Sequence, residues 1–338
     1  MMPTPLRPFL AALLAVVAVA TPTAHDQEGF TFQGGVELIN VAATVTDDDG
    51  RFVSGLRQED FSVFEDGELQ EVTYFSSNRV PVSLGILLDA SGSMTEEKMS
   101  AARSAIDRFI YDLLGKDDEL FFLEFANRPN LVQEWTTDRR AISRAVVRVT
   151  PAGGTAMYDA VAKALPLVGI GLHPKKALLV ISDRNDTNSR LSVGELRPLI
   201  QESEVLVYAL GVDGTAVTVR SGPRIRLPVP RPFPFPGRGP RRRSPPIVQG
   251  RGWTARTTER VNADALRRIT DDTGGRTEII RGFRDLDGAT AGIADELSKQ
   301  YFLGYVGPGR RDSLWHDIRV EVKDRRLTVR ARRGYIAS

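Results

Sequence analysis

Between residues 80 and 300, short apolar runs alternate with stretches of helical periodicity, and few folds accept that order. The runs lie at 82–88, 119–126, 176–182, 205–211 and 276–280. They are short and almost continuously apolar, as expected of parallel strands covered on both faces. Helical patterns occupy 95–114, 138–148, 156–168, 192–202, 262–273 and 284–300. In the first of these, Met99, Ala102, Ile106, Phe109, Ile110 and Leu113 share one face. Glu96 and Glu97 stand in its first turn, where a helix N-terminus favours acids. The alternation predicts an α/β fold: a doubly wound, mostly parallel sheet with right-handed crossovers.

The flanks read as β structure. Residues 30–78 hold a β-branched run at 36–45, a turn at Asp47-Asp48-Asp49-Gly50, and Phe61-Ser62-Val63-Phe64 entering a hairpin at Glu65-Asp66-Gly67. Residues 301–338 alternate with period two at 301–306, 318–323 and 327–332. Neither set alone makes a robust sheet. The expectation is one small antiparallel β domain built from both chain ends, with the α/β domain of residues 80–300 inserted in it. Within that domain, residues 221–256 break the pattern: prolines alternate from Pro228 to Pro236, and nine arginines stand with no acid. Such a segment favours polyproline II or disorder and reads as a solvated surface excursion. Without an aromatic stacking platform, no nucleic-acid partner is expected. The net charge is +2, so apart from this segment the chain is acidic.

Residues 1–24 read as a secretory signal peptide. Arg7 gives the positive region, Phe9 to Ala20 the apolar run, and Ala18-Val19-Ala20 and Pro22-Thr23-Ala24 the small-residue cleavage candidates. The run is short for a membrane span, so no stable span is expected after cleavage, and the address is secreted or periplasmic. The chain has no cysteine, which excludes disulfides, thiolate catalysis and a lipid-modified cysteine anchor. The three histidines, His25, His173 and His316, form no zinc pattern.

The first α/β run ends in Leu88-Asp89-Ala90-Ser91-Gly92-Ser93. A strand there delivers Asp89 to its carboxyl end, where open α/β sheets place ligands, and Ser91 and Ser93 follow on a tight turn. Hard oxygen donors suit Mg²⁺, Mn²⁺ or Ca²⁺. The same residues also make an ordinary polar turn. The order D-x-S-x-S after a buried strand resembles the metal-ion-dependent adhesion site of von Willebrand factor type A domains. Type A domains complete that site with a threonine and a second aspartate. By resemblance these are Thr155, after Gly153-Gly154, and Asp183, which closes the run Leu178 to Ser182. The flanks strengthen the likeness. Phe61 to Gly67, Tyr301-Phe302-Leu303-Gly304-Tyr305 and the ending Arg330-Ala331-Arg332-Arg333-Gly334-Tyr335 resemble bacterial VWFA-related proteins of Acidobacteria.

The resemblance implies that Ser91 and Ser93 ligate the metal directly. Thr155 does so directly or through water, and Asp89 and Asp183 balance charge. An open position then accepts an Asp or Glu carboxylate from a protein partner. One departure stands out: Arg184 follows Asp183 where family members often carry glycine. Its guanidinium has three options: pairing with Asp183 or Asp186, meeting a partner's carboxylate, or turning to solvent. Asp186 is a second, outer candidate. Enzyme readings fare worse. An aspartyl phosphatase needs a second carboxylate two residues after its nucleophile, where Ser91 stands. No histidine sits in a hydrolase motif, and Gly153-Gly154-Thr155 is not a P-loop. The alternative to an adhesion-type module is a structural component of an extracytoplasmic complex in which the metal is incidental.

Overall fold

The apolar runs become the middle of a six-stranded sheet. The computed structural model describes residues 38–212, 261–309 and 312–337, so the expected signal peptide and the 221–256 insert lie outside the described residues. The described residues open with β1 (Leu38–Thr46), β2 (Phe61–Glu65), β3 (Glu68–Gln70) and β4 (Val72–Ser76). It continues through β5 (Val82–Asp89), α1 (Glu96–Arg108), β6 (Glu119–Phe125), β7 (Pro129–Thr136), α2 (Arg139–Val147) and α3 (Met157–Gly169). Next come β8 (Lys175–Ser182), α4 (Val193–Glu202), β9 (Leu206–Val212), α5 (Ala263–Thr270), β10 (Thr277–Ile280) and α6 (Leu286–Lys299). It closes on β11 (Tyr301–Val306), β12 (Trp315–Val322), β13 (Thr328–Arg330) and β14 (Gly334–Ile336).

The large sheet runs β10-β9-β8-β5-β6-β7. All its neighbours are parallel except β7, which lies antiparallel on β6 at the edge. Every residue of β5 is buried, and successive side chains serve opposite cores. Leu84, Ile86 and Leu88 pack with α1, α2 and α6. Leu87 on β5 and Phe121, Leu123 and Phe125 on β6 pack with α3, α4 and α5. Helices on both faces remove each central strand from water, which is why these runs are apolar without alternation. Gly85 lets the Phe121 ring cross the strand, since a Cβ there would strike that ring.

The flanks pair across the chain in two sheets. One four-stranded sheet has the order β13-β1-β11-β4 and the other β14-β12-β2-β3. Their inner faces meet in a shared core of Ile39, Val41, Phe61, Val63, Tyr301, Leu303, Tyr305, Ile318 and Tyr335. The β2–β3 hairpin turns on Asp66 and Gly67, with φ of 50° and 88°. Two left-handed residues match the primed turn that fits strand twist.

The same Asp66 anchors His316 of β12. Its Oδ2 lies 2.8 Å from His316 Nδ1, and Asp312 Oδ1 lies 3.1 Å from Nε2. The Asp66 hydrogen bond, with help from Asp312, holds the imidazole above its usual value of 6.5 against the opposing effect of burial. A histidine raised on folding stabilises the protein in full below pH 6.5, and that contribution is lost as pH rises through the folded value. The urea midpoint should therefore fall as pH climbs out of the sixes. His316→Gln should flatten that profile, and an unchanged profile would remove His316 as its source.

Candidate metal centre

The chain leaves β5 for β6 on one side and later returns to β8 on the other. The carboxyl ends of β5 and β8 therefore flank the switch point of the sheet, where open α/β sheets bind ligands. Asp89 is the last residue of β5, and Asp183 follows the last residue of β8. Three loops are stitched around them by backbone bonds. Ala90 N donates to Phe125 O at 2.7 Å, Gly92 N to Gly153 O at 2.9 Å, and Ala152 N to Ala90 O at 2.8 Å. Gly153 takes a φ of 81°, and a Cβ there would strike Asn127, whose Oδ1 accepts from Gly154 N at 2.7 Å. This stitching brings Thr155 beside the Ser91 turn. Thr187 fixes Thr155, accepting from its backbone N at 3.1 Å through the hydroxyl and donating its own N to Thr155 O at 2.9 Å.

The structure thus gathers all five candidates at one end of the sheet, and all are buried. Ser91 Oγ and Ser93 Oγ lie 2.9 Å apart, and Ser93 Oγ donates to Asp183 Oδ1 at 2.6 Å. Asp89 accepts from Ser91 N on Oδ1 at 2.8 Å and from the Ser182 hydroxyl on Oδ2 at 2.5 Å. Burial nevertheless raises its carboxyl to about 6, because these hydrogen bonds only partly replace lost hydration and Asp183 adds like charge. Thr155 Oγ1 is buried without a hydrogen-bond partner among the described residues. An orphaned buried hydroxyl is costly and calls for an explanation. A divalent cation supplies one. The donor set is oxygen only, and a serine hydroxyl that gives its proton to a carboxylate still offers a lone pair to an ion. The residues present fit such a group.

Two neighbours of the site can be placed. The cation on Asp183 is Lys98, whose Nζ lies 2.5 Å from Oδ2, while Arg184 is half-buried and its N donates to Ser182 Oγ. Asp186 braces the local fold instead. Its Oδ2 accepts from Tyr158 N at 2.9 Å in the first turn of α3 and from Ser189 Oγ at 2.6 Å. Sequence reasoning missed Lys98 and Ser182. Lys98 carries a signal in hindsight. It stands three residues after the N-cap Thr95, where the helix dipole disfavours a cation. A carboxylate waiting nearby explains it.

One further cluster of ligand-type side chains occurs among the described residues, at Glu65, Asp66 and His316. It has internal uses: Tyr305 and Tyr335 donate to Glu65, and His316 meets Asp66 and Asp312.

With the site in view, the family comparison bears on one stretch. Residues 84–185 match the von Willebrand factor type A domain. That stretch runs from β5 to the residues just past Asp183, so it contains all five candidates. A protein described as von Willebrand factor type A from Catenulispora acidiphila is 16% identical over 88% of this chain and 73% of that one, with a TM-score of 0.49. The vWF domain of the type V pili tip protein Mfa5 from Porphyromonas gingivalis is 19% identical over 32% of this chain, with a TM-score of 0.30. Proximal thread matrix protein 1 from the mussel byssus, solved with a zinc-occupied MIDAS motif, is 14% identical over 69% of this chain, with a TM-score of 0.49. This chain spans 40% of the pilus protein and 50% of the mussel protein, less than two thirds of either. No curated protein matches the sequence.

Proposed function

We propose that Asp89, Ser91, Ser93, Thr155 and Asp183 hold a divalent cation, Mg²⁺ or else Mn²⁺ or Ca²⁺, and that the protein uses it to capture an Asp or Glu carboxylate of a protein partner. The observation that carries this reading is the orphaned buried hydroxyl of Thr155, on a loop bonded to the turn that carries Ser91 and Ser93. The serine and threonine oxygens would ligate, and the two aspartates would supply charge. When bound, the ion supplies an electrophile for an external oxygen, because two fixed carboxylates leave room for a third anion. Ser182 and Ser91 orient Asp89 for this role, and Ser93 orients Asp183.

The role proposed is binding, not catalysis, since Ser91 occupies the place where phosphoryl chemistry would need a second carboxylate. The proposed address is outside the cytoplasmic membrane, on the strength of residues 1–24; among the described residues no helix is long and apolar enough to cross a membrane. The pairing of β1 with β11 and of β2 with β12 supports the type A region as an insertion between the two ends of a β unit. The flanking motifs support kinship with the Acidobacterial VWFA-related proteins.

A second reading has its own observation. Lys98 already neutralises Asp183, as a metal-independent scaffold of an assembly would require. Calorimetric titration of the chelator-stripped protein with Mg²⁺ and Mn²⁺ separates the two. The expected result is saturable binding in the wild type that disappears in a Ser91→Ala/Ser93→Ala variant. A folded wild type that binds neither ion, together with a folded Lys98→Met variant that binds neither, would leave the scaffold reading.

A further inference from the structure

We infer that Lys98 is a tethered cation that competes with the divalent ion for Asp183 and thereby sets the ion affinity of the site. This rests on the ion-binding reading above and adds its regulation. Both oxygens of Asp183 are taken: Oδ1 accepts from the Ser93 hydroxyl at 2.6 Å, and Oδ2 meets Lys98 Nζ at 2.5 Å. Nζ also donates to Ser93 O at 3.1 Å, so the ammonium sits against the very turn that carries the serine donors. Across the site, Thr155 Oγ1 has no partner among the described residues. The arrangement is therefore asymmetric: an ammonium meets the Asp183 carboxylate, while the buried Thr155 hydroxyl has no partner among the described residues.

Lys98 belongs to α1, near an N-terminus whose own dipole opposes a positive charge. An exposed lysine there would gain by pointing away. Instead its head folds inward onto a carboxylate that is 1% exposed, while the side chain as a whole stays 28% exposed. It is long, flexible and open on one side, so it can withdraw. The ring of Phe283 lies 5.8 Å from Nζ and offers the ammonium a second favourable surface.

A doubly charged ion and an ammonium on the same carboxylate repel each other. Either Lys98 leaves, giving up its ion pair, or it stays and weakens the ion's hold. Both routes make the two cations mutually antagonistic, and linkage makes that antagonism reciprocal. A site built this way keeps Asp183 paired at low ion concentration and fills only when the ion is plentiful. Removing the ammonium should then tighten ion binding, the opposite of what loss of a purely structural contact would do.

The test titrates the chelator-stripped full chain and its variants with Mn²⁺ and Mg²⁺ by calorimetry, alongside melting curves in EDTA. Lys98→Met and Lys98→Gln should bind the ion at least tenfold more tightly than wild type, and Lys98→Arg should stay close to it. In EDTA the two neutral variants should melt below wild type, because Asp183 loses its counter-ion, and added ion should reverse that deficit. Ion binding by the neutral variants alone would also support the inference. Wild-type binding with equal or weaker binding in folded Lys98→Met or Lys98→Gln overturns the inference and leaves the ion site standing. Binding by none of the four proteins overturns both.

Discussion

Glu296→Ala is expected to destabilise the protein by about 3 kcal/mol, the lower end of what breaking a buried ion pair costs. The carboxylate is 1% exposed, on the last turns of α6. Its Oε1 accepts from Tyr208 of β9 at 2.9 Å and from Thr44 of β1 at 3.3 Å, and it lies 2.5 Å from Arg330 Nη2 of β13. Its Oε2 lies 3.2 Å from Arg276 Nε. Gln300 completes the network, its Nε2 donating to Thr44 Oγ1 at 3.1 Å and to Tyr208 OH at 3.0 Å. One side chain thus ties the six-stranded sheet to a sheet built from the chain ends. Truncation would take the acceptor from the Tyr208 and Thr44 hydroxyls and the buried counter-ion from Arg330, and leave Arg276 with Glu278 as its remaining carboxylate. The arginines are each one-third exposed, so water recovers part of the loss, which is why the lower end is chosen. Urea unfolding at neutral pH measures it. Glu296→Gln, which keeps the shape and one acceptor, should cost less than the alanine change. A loss under about 1 kcal/mol for alanine would mean that the joint is held by apolar packing and that the network is dispensable.

How much of this was legible in the sequence depended on burial. The core strands of the large sheet could be placed within a residue or two because helices cover both faces, so their sequences are apolar throughout. β7 escaped because it is an edge strand, half-exposed along Pro129 to Thr136, with polar residues such as Asn130, Gln133 and Glu134. The β flanks were legible as strands but not as two sheets. Their partners lie more than two hundred residues away, and period two says which face is buried without saying against which sheet. At the site, Asp89 and Asp183 could be found because each ends an apolar run, and the two serines and Thr155 followed from the family's order. Ser182 and Lys98 could not. Ser182 reads as the end of a strand, and a lysine in a first helical turn reads as a solvated side chain unless its conflict with the dipole is noticed. Glu296 was equally hidden: within 284–300 it looks like one more exposed acid, and only tertiary packing makes it a hub.

Asp89→Asn should stabilise the ion-free protein while removing its response to ion. In the folded chain the Asp89 carboxyl is raised from 3.8 to about 6, first by burial and then by the nearby charge of Asp183. A carboxyl whose folded value stands above its unfolded value costs stability wherever it is ionised. That cost is present above about pH 6 and vanishes as pH falls toward 3.8. At pH 7 it amounts to about 3 kcal/mol. Asparagine fits the same contacts. Its oxygen can accept from Ser91 N, and its amide can donate to Ser182 Oγ, whose proton has an alternative acceptor in Arg184 O at 3.2 Å. The substitution therefore removes a buried charge without leaving an orphan donor. In EDTA at pH 7 the variant should melt several degrees above wild type, with the gap closing as pH falls below 6. Added Mg²⁺ or Mn²⁺ should raise the wild-type melting point and leave the variant unmoved. If the variant is instead the less stable protein in EDTA, the Asp89 carboxylate is a net stabiliser without any ion. The strand end would then be an ordinary buried polar turn, not a site held under electrostatic strain for a cation.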